Sequence, residues 1–382
     1  MPTTVCLNMI VRNESRIIRR CLEALRPFID TWVIVDTGST DGTPALVEEV
    51  LQGVPGMLHH ADWQDFARNR TQAIRLAEGT ADLILLCDAD HLPVVRDPGW
   101  KEGLSAEAYQ VWQGTLAGGR YRNLRVVSGR PAPGRRWRYW GATHEYLGLE
   151  DPRQEVEPRL LEGIAFLDVG DGGSKATKLI RDEALLKAEL ARLESLGGSA
   201  GMPSGLLART VYYLAQTLRD QGRWAESLTL YQRRAGMGQF EEEAWHAQYQ
   251  AALVGELLGW DRPTVIEALL QAHQRRPQRI EPLLHLARYC RQREDHALAH
   301  LFARRALAIP PPPDLLFLEM DCYHWRALDE FGLAASAMGD QSAAIQAFKA
   351  MLAGSAVPAD QRPRIAENLA AAVRHQVGSA RG

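Results

Sequence analysis

The sequence predicts two halves of different class, an α/β unit with parallel strands followed by an all-α array of helical hairpins. Three observations carry this. Up to about residue 170, short apolar runs alternate with stretches whose apolar residues recur at helical spacing. Beyond about residue 205, helix–turn–helix patterns follow one another with no strand between them. The stretch GGSAGMPSG (197–205) separates the two with the composition of a linker. The expected domains are therefore 1–196 and 206–382.

In the first half, VCLNMIV (5–11) is strand-like and SRIIRRCLEAL (15–25) has helical spacing. WVIVDT (32–37) is a second strand and TPALVEEVLQ (43–52) a second helix. DFARNRTQAIRLAEG (65–79) is a third helix leading into the strand DLILLCDAD (82–90). β-Branched content and flanking turn residues favour strand over buried helix for these short runs. GDGGSKATK reads as a loop opening onto a helix.

In the second half, residues 212–235 form a helical hairpin turning at Gly222, and 245–274 another turning at Gly259-Trp260. Residues 286–307 turn at Arg293-Glu294-Asp295, and 331–352 at Gly339. Small residues (Ala215, Ala225, Ala287, Ala335) stand where paired helices approach. Hairpins repeating every ~34 to 40 residues indicate a solenoid of the tetratricopeptide type, interrupted by IPPPPD (309–314).

The bulk properties exclude several classes. A formal charge of −3 over 382 residues gives no reason to expect a nucleic-acid or anionic-membrane partner. Five scattered cysteines without C-x-x-C spacing argue against a disulfide framework and a thiolate zinc site. No run approaches the ~18 to 20 apolar residues of a membrane span. The start, MPTTVCLNMIVRNES, reads as a strand and not a leader, so a cytoplasmic protein is expected.

The candidate chemistry lies in the first half. In VIVDTGSTDGT (33–43) a strand ends at Asp36 and a turn follows; ligands of open α/β sheets bind beyond the carboxyl ends of strands. Asp36, with Thr37 and Ser39, can take hydrogen bonds from a base or ribose, or these turn residues can cap the following helix. Arg68, near the start of its helix, can fork onto a diphosphate or stay on the surface. Asp88 and Asp90 are alternate residues of a strand and so share a face. Two oxygen donors there suit Mn²⁺ or Mg²⁺. His91 is expected to leave on the opposite face. In RYWGATHEYLG (138–148), Glu145 can be a general base or the partner in a salt bridge with a buried His144. Lys175, Lys178 and Arg181 follow a glycine-rich loop that can close over a phosphate or serve as a linker.

These residues, in this order, resemble family 2 glycosyltransferases of the GT-A fold. The matching segments are LNMIVRNE, WVIVDTGSTDGT, the ARN of DFARNRTQA, and LAEGTADLILLCDAD. With VGDGGSKATK and the tandem hairpins, the chain is similar to the subgroup with C-terminal tetratricopeptide repeats, which includes peptide S-glycosyltransferases. The resemblance spans roughly residues 5–185; the repeat half is similar only in pattern.

The resemblance implies a metal-dependent, inverting transfer from a UDP-sugar to a peptide, protein or small-molecule acceptor. It places Val11 to Glu14 beside the base, Asp36 on uracil or ribose, Arg68 on base or diphosphate, Asp88 on ribose and metal, and Asp90 on the metal. Two departures stand out. The family's Glu-Asp pair is missing, leaving Glu145, Asp168 or Asp171 as the base. FLDVGDGG lacks the family's histidine ligand, leaving His144, Asp171, or water and phosphate to complete the metal shell. These departures also motivate a competing reading, a catalytically impaired nucleotide-sugar-binding scaffold acting through its repeats. A nucleotidyltransferase ranks lower, because VRNESR carries no glycine-rich loop after the first strand. The repeat array is expected to form a homodimer, with peptide binding as a further role.

Overall fold

A computed structural model describes residues 2–116, 120–172, 178–197, 201–314 and 316–379. Lys175 and most of its glycine-rich loop lie outside the described residues. The chain divides into compact units Met1–Thr217 and Leu218–Gly382.

The first unit carries ten strands: β1 (Val5–Val11), β2 (Thr31–Asp36), β3 (Gly56–His60), β4 (Leu83–Leu86), β5 (His91–Val95), β6 (Ala108–Thr115), β7 (Arg120–Ser128), β8 (Trp137–Trp140), β9 (Tyr146–Leu149) and β10 (Arg159–Asp168). Eight form one mixed sheet in the order β3-β2-β1-β4-β7-β6-β10-β5, and β8 pairs with β9 in a hairpin. The β3-β2-β1-β4 half is parallel, and β7 joins β4 antiparallel. Four helices accompany them: α1 (Ile18–Leu25), α2 (Thr43–Val50), α3 (Phe66–Ala77) and α4 (Lys178–Ser195).

Alternation in β1 explains the layering. Val5, Leu7, Met9 and Val11 join one apolar cluster with Ile18 and Leu22 of α1 and Val47 of α2. Cys6 faces the opposite cluster with Ile74 of α3 and Trp137 of β8. A strand covered on both faces is apolar along its length, which is why this half was legible as runs and not as alternation. Asn8 is the polar exception; its amide donates to the carbonyls of Val33 and Ala73 at 3.0 and 2.9 Å, so it is buried without loss.

Two local features differ from the sequence expectation. Residues 14–17 form a turn closed by Ile17 and Ile18 N–H on the Glu14 carbonyl, so α1 starts at Ile18 and not at Ser15. The strand expected to run through Asp90 ends at Leu86, and the His91 N–H donates to the Asp88 carbonyl at 3.1 Å. The chain leaves the sheet there, so strand parity does not govern Asp88, Asp90 and His91.

The helix α5 (Leu206–Asp220) spans the division between the units. The second unit continues with α6 (Trp224–Ala235), α7 (Glu241–Leu257), α8 (Arg262–Arg275), α9 (Glu281–Arg291), α10 (His296–Leu307), a π-helical turn (Cys322–Arg326), α11 (Ala327–Ala337), α12 (Gln341–Ala353) and α13 (Arg362–Ser379). Each helix from α6 to α13 packs on the next, as in a solenoid. The turns fall where expected. Gly222, Gly259 and Gly339 have positive φ, and Glu294 takes the same conformation in the third hairpin. Among the described residues, no helix is long and apolar enough to cross a membrane.

Candidate active site

The loops after β1, β2 and β4 meet over the carboxyl ends of the parallel strands, where they border a cavity of about 770 Å³. Val11 and Glu14 come from the first loop, Thr37 from the second, and Asp88, Asp90 and His91 from the third. The loops brace one another. The Asn13 side chain accepts from Thr40 N–H at 2.8 Å, and Glu14 N–H donates to Thr43 Oγ1 at 2.8 Å. Lys178 and Arg181, at the start of α4, close another side. Trp63, Phe66 and Tyr121 supply the aromatic wall, with Trp63 and Phe66 edge to face at 4.8 Å and the Arg181 guanidinium over Phe66 at 4.8 Å.

The two aspartates of the D-A-D motif have opposite environments. Asp88 accepts from Arg70 Nη2 at 2.5 Å and from Arg125 Nη1 at 3.1 Å. Burial pushes the Asp88 carboxyl up, but the two guanidinium groups outweigh it and hold it well below the usual carboxylate range. Asp90 and Asp168 accept no hydrogen bond from another side chain among the described residues. Burial, then the neighbouring Asp88 and Asp168 carboxylates, push the Asp90 carboxyl up. Two carboxylates facing each other without a cation form a site that favours one.

The side chains of Asp90, His91 and Asp168 place one donor atom each within 4.8 Å of one another. This residue set fits a divalent ion through its two carboxylates. His91 is less open to one. Its Nε2 faces the Gln113 amide at 3.0 Å and its Nδ1 faces the Asp88 N–H at 3.3 Å. Gln113 in turn accepts from Arg125 Nη2 at 3.1 Å, so a buried chain of polar groups links His91 to the arginine that holds Asp88.

The remaining sequence candidates are placed as follows. Asp36 borders the turn and not the cavity; its carboxylate caps Gly38 and Ser39 N–H at 3.3 and 3.1 Å. Arg68 is exposed and pairs with Asp65, the N-cap of α3, at 3.3 Å. Arg70, two residues further along the helix and so on another face, reaches the cavity instead. Glu145 is half-buried and accepts from Arg70 Nε at 2.7 Å, without lining the cavity. His144 is not among the group that could hold a metal. It sits at positive φ in the β8–β9 turn with Gly141, and its ring stacks on Tyr213 at 4.0 Å. Its carbonyl takes two hydrogen bonds from Arg209, and burial pushes its imidazole down to about 4. Asp171 is bound by Arg20 through both oxygens at 3.0 Å.

Residues 6–144 match the family model described as Glycosyl transferase family 2. That segment is under half of the chain, and the likeness to glycosyl transferase family 2 is a likeness of this segment. The matched segment includes the three loops, Arg70 and Arg125, while Asp168 and Lys178 lie beyond it.

Over 87 residues the chain is 44% identical to a TPR repeat-containing protein of Synechococcus elongatus, a stretch covering 22% of this chain and 20% of that one. The chain thus spans about a fifth of the length of the curated relative it matches. Solved structures with partial similarity include MamA, at 16% identity, covering 46% of this chain and 84% of that one with a TM-score of 0.34. A tetratricopeptide repeat protein from Parabacteroides merdae aligns at 16% identity over 53% of this chain and 69% of that one, with a TM-score of 0.36. The fold class is a GT-A-like mixed sheet followed by tetratricopeptide-like helical repeats.

Proposed function

We propose that the N-terminal domain is a metal-dependent, inverting glycosyltransferase that moves a sugar from a UDP-sugar to a nucleophilic acceptor. One observation supports this above the others. A single cavity presents two carboxylates without a counter-cation, Asp90 and Asp168, and two cations without an ion pair among the described residues, Arg12 and Lys178. A cavity needing both a cation and an anion suits a metal diphosphate.

In this reading Asp90 and Asp168 hold the ion, Mn²⁺ or Mg²⁺. When bound, the ion neutralises the diphosphate leaving group as its charge develops. Lys178 and Arg12 contact the phosphates, and Asp88, oriented by Arg70 and Arg125, accepts from the ribose. The acceptor O–H or S–H attacks the anomeric carbon as the bond from that carbon to the diphosphate oxygen breaks, and gives its proton to a carboxylate. Glu145 would have to leave Arg70 to serve as that base, whereas Glu14 already borders the cavity. A peptide acceptor, and a homodimer formed through the repeats, complete the proposal.

The experiment is a panel of nucleotide sugars scored for hydrolysis and transfer with Mn²⁺, Mg²⁺ or EDTA. Metal-stimulated turnover of a UDP-sugar supports the reading. The bound state of Glu145 gives the impaired-scaffold reading its footing, and UDP binding with no turnover of any donor would favour that alternative.

A further inference from the structure

The turn between β8 and β9 is held in a strained conformation by two side chains of α5. Gly141 has φ 96° and His144 has φ 51°. A residue other than glycine in the left-handed region is strained, and it persists where its surroundings over-determine it. At His144 those surroundings are Arg209 and Tyr213, in the part of α5 that belongs to the first unit. Arg209 Nε and Nη2 both donate to the His144 carbonyl, at 3.1 and 2.9 Å. The Tyr213 ring stacks on the His144 imidazole at 4.0 Å, with the planes 6° apart. The Arg209 guanidinium lies over two rings, 5.3 Å from Tyr146 and 4.8 Å from Tyr213.

The same turn touches α3 and carries Glu145. Phe66 N–H, at the start of α3, donates to the Ala142 carbonyl at 3.1 Å. Glu145 accepts from Arg70 Nε at 2.7 Å, while Arg70 Nη2 is bound to Asp88. A guanidinium is a rigid planar fork, so a carboxylate fixed on Nε also sets the direction of Nη2. Displacing Glu145 therefore frees Arg70 to turn away from Asp88.

A docking role for Arg209 alone does not account for these bonds. Arg209 has no carboxylate partner among the described residues and spends two N–H groups on one backbone carbonyl, that of the strained residue. The residue that follows that carbonyl is Glu145, the partner of Arg70. Glu145 and Arg209 both lie beyond the matched segment 6–144.

We infer that Arg209 is a positioning residue for Asp88. By holding the His144 carbonyl it fixes the turn, the turn sets Glu145 on Arg70, and Arg70 in turn holds Asp88. What Asp88 then binds, a ribose, rests on the sugar-transfer reading. The coupling from Arg209 to Arg70 does not.

The test uses the full chain labelled with ¹⁵N-arginine. The Arg70 Nε–H resonance, identified by its loss in Arg70→Lys, reports the bond to Glu145 with no ligand present. Glu145→Gln gives its position once the charged partner is removed. Arg209→Met keeps the apolar stem and removes both donors. It should move the resonance toward that position, and adding E145Q to R209M should move it little further. Arg209→Lys keeps the charge over the rings and one donor, folds where R209M does not, and should give a smaller shift of the same sign. Titration of UDP with Mn²⁺ then reads the effect at Asp88. R209M should weaken binding about tenfold in the parent background and less than about twofold in the E145Q background. Equal loss in both backgrounds overturns the inference, as does an Arg70 resonance that R209M and R209K leave in place while the melting temperature falls. A parent that binds no UDP sinks the sugar-transfer reading instead, and the Arg70 resonance alone then decides the coupling.

Discussion

Arg70 and Asp88 form a partly buried ion pair, 2.5 Å from Nη2 to Oδ1, that ties α3 to the loop after β4. Arg70 also binds Glu145, and Arg125 takes the other oxygen of Asp88, so four side chains from four segments share one network. Removing Asp88 leaves the buried Arg125 guanidinium without a carboxylate and Arg70 with Glu145 alone. Asp88→Ala should therefore destabilise the first unit by about 3 kcal/mol, in line with breaking a buried pair. Urea unfolding followed by tryptophan fluorescence checks this, and a loss under about 1 kcal/mol would mean that the network relaxes into solvent.

Asp90 and Asp168 should behave in the opposite way. Each is a carboxylate in need of a cation, so neutralising one relieves repulsion in the apo protein. Asp90→Asn and Asp168→Asn should be at least as stable as the parent without metal, yet gain nothing from Mn²⁺. The parent should gain about 2.7 kcal/mol at a hundredfold excess of Mn²⁺ over Kd. Thermal unfolding with and without the ion separates these outcomes. Activity of D90N should fall about 10²–10³-fold, the scale of losing one main electrostatic contact.

His144 makes a pH prediction. Burial lowers its folded pKa to about 4, below the unfolded value near 6.5. Between these values the unfolded chain binds the proton and the folded chain does not, so stability is full above about pH 6.5 and falls as pH drops toward 4. His144→Phe keeps an aromatic ring on Tyr213 and removes the titration. The parent should lose about 2–3 kcal/mol more than the variant between pH 7 and 4. His246 in the repeat unit is also held down by burial, to about 3, so only the difference between the two proteins isolates His144.

Much of this site could be read from the sequence, and what escaped has physical reasons. The strand and helix runs around β1, β2, α2, α3 and β4 were legible because their apolar residues are buried on both faces of the sheet. β3 was not, because its residues GMLHH are mostly exposed at the sheet edge and show no period. The D-A-D motif was visible, but the assumption that its strand continued paired Asp88 with Asp90. The turn after Leu86 instead sends them to different partners. Arg68 is legible as a residue near the helix start, yet it stays on the surface and the helix turns Arg70 inward. Arg125 left a signal that went unused. It lies inside the apolar run LRVVS, where a charge implies a partner, but it is also the extra residue of a β-bulge between Leu124 and Val126, where strand parity fails.

Gly255 offers a test of packing in the repeats. Alanine normally stabilises a helix relative to glycine, by about 1 kcal/mol. At Gly255, in α7, a Cβ would lie 2.3 Å from the Trp260 ring. Gly255→Ala should therefore destabilise by about 1–3 kcal/mol, the cost of overpacking. Thermal unfolding followed by circular dichroism at the helix band decides the sign.

The central claim is that a divalent ion between Asp90 and Asp168 holds the diphosphate of a nucleotide sugar. Calorimetric titration of UDP into the full chain, with Mn²⁺ and then with EDTA, tests it most directly. Binding with Mn²⁺ that vanishes with EDTA and in both D90N and D168N is the predicted result. UDP binding of equal strength in EDTA and in both variants would contradict it.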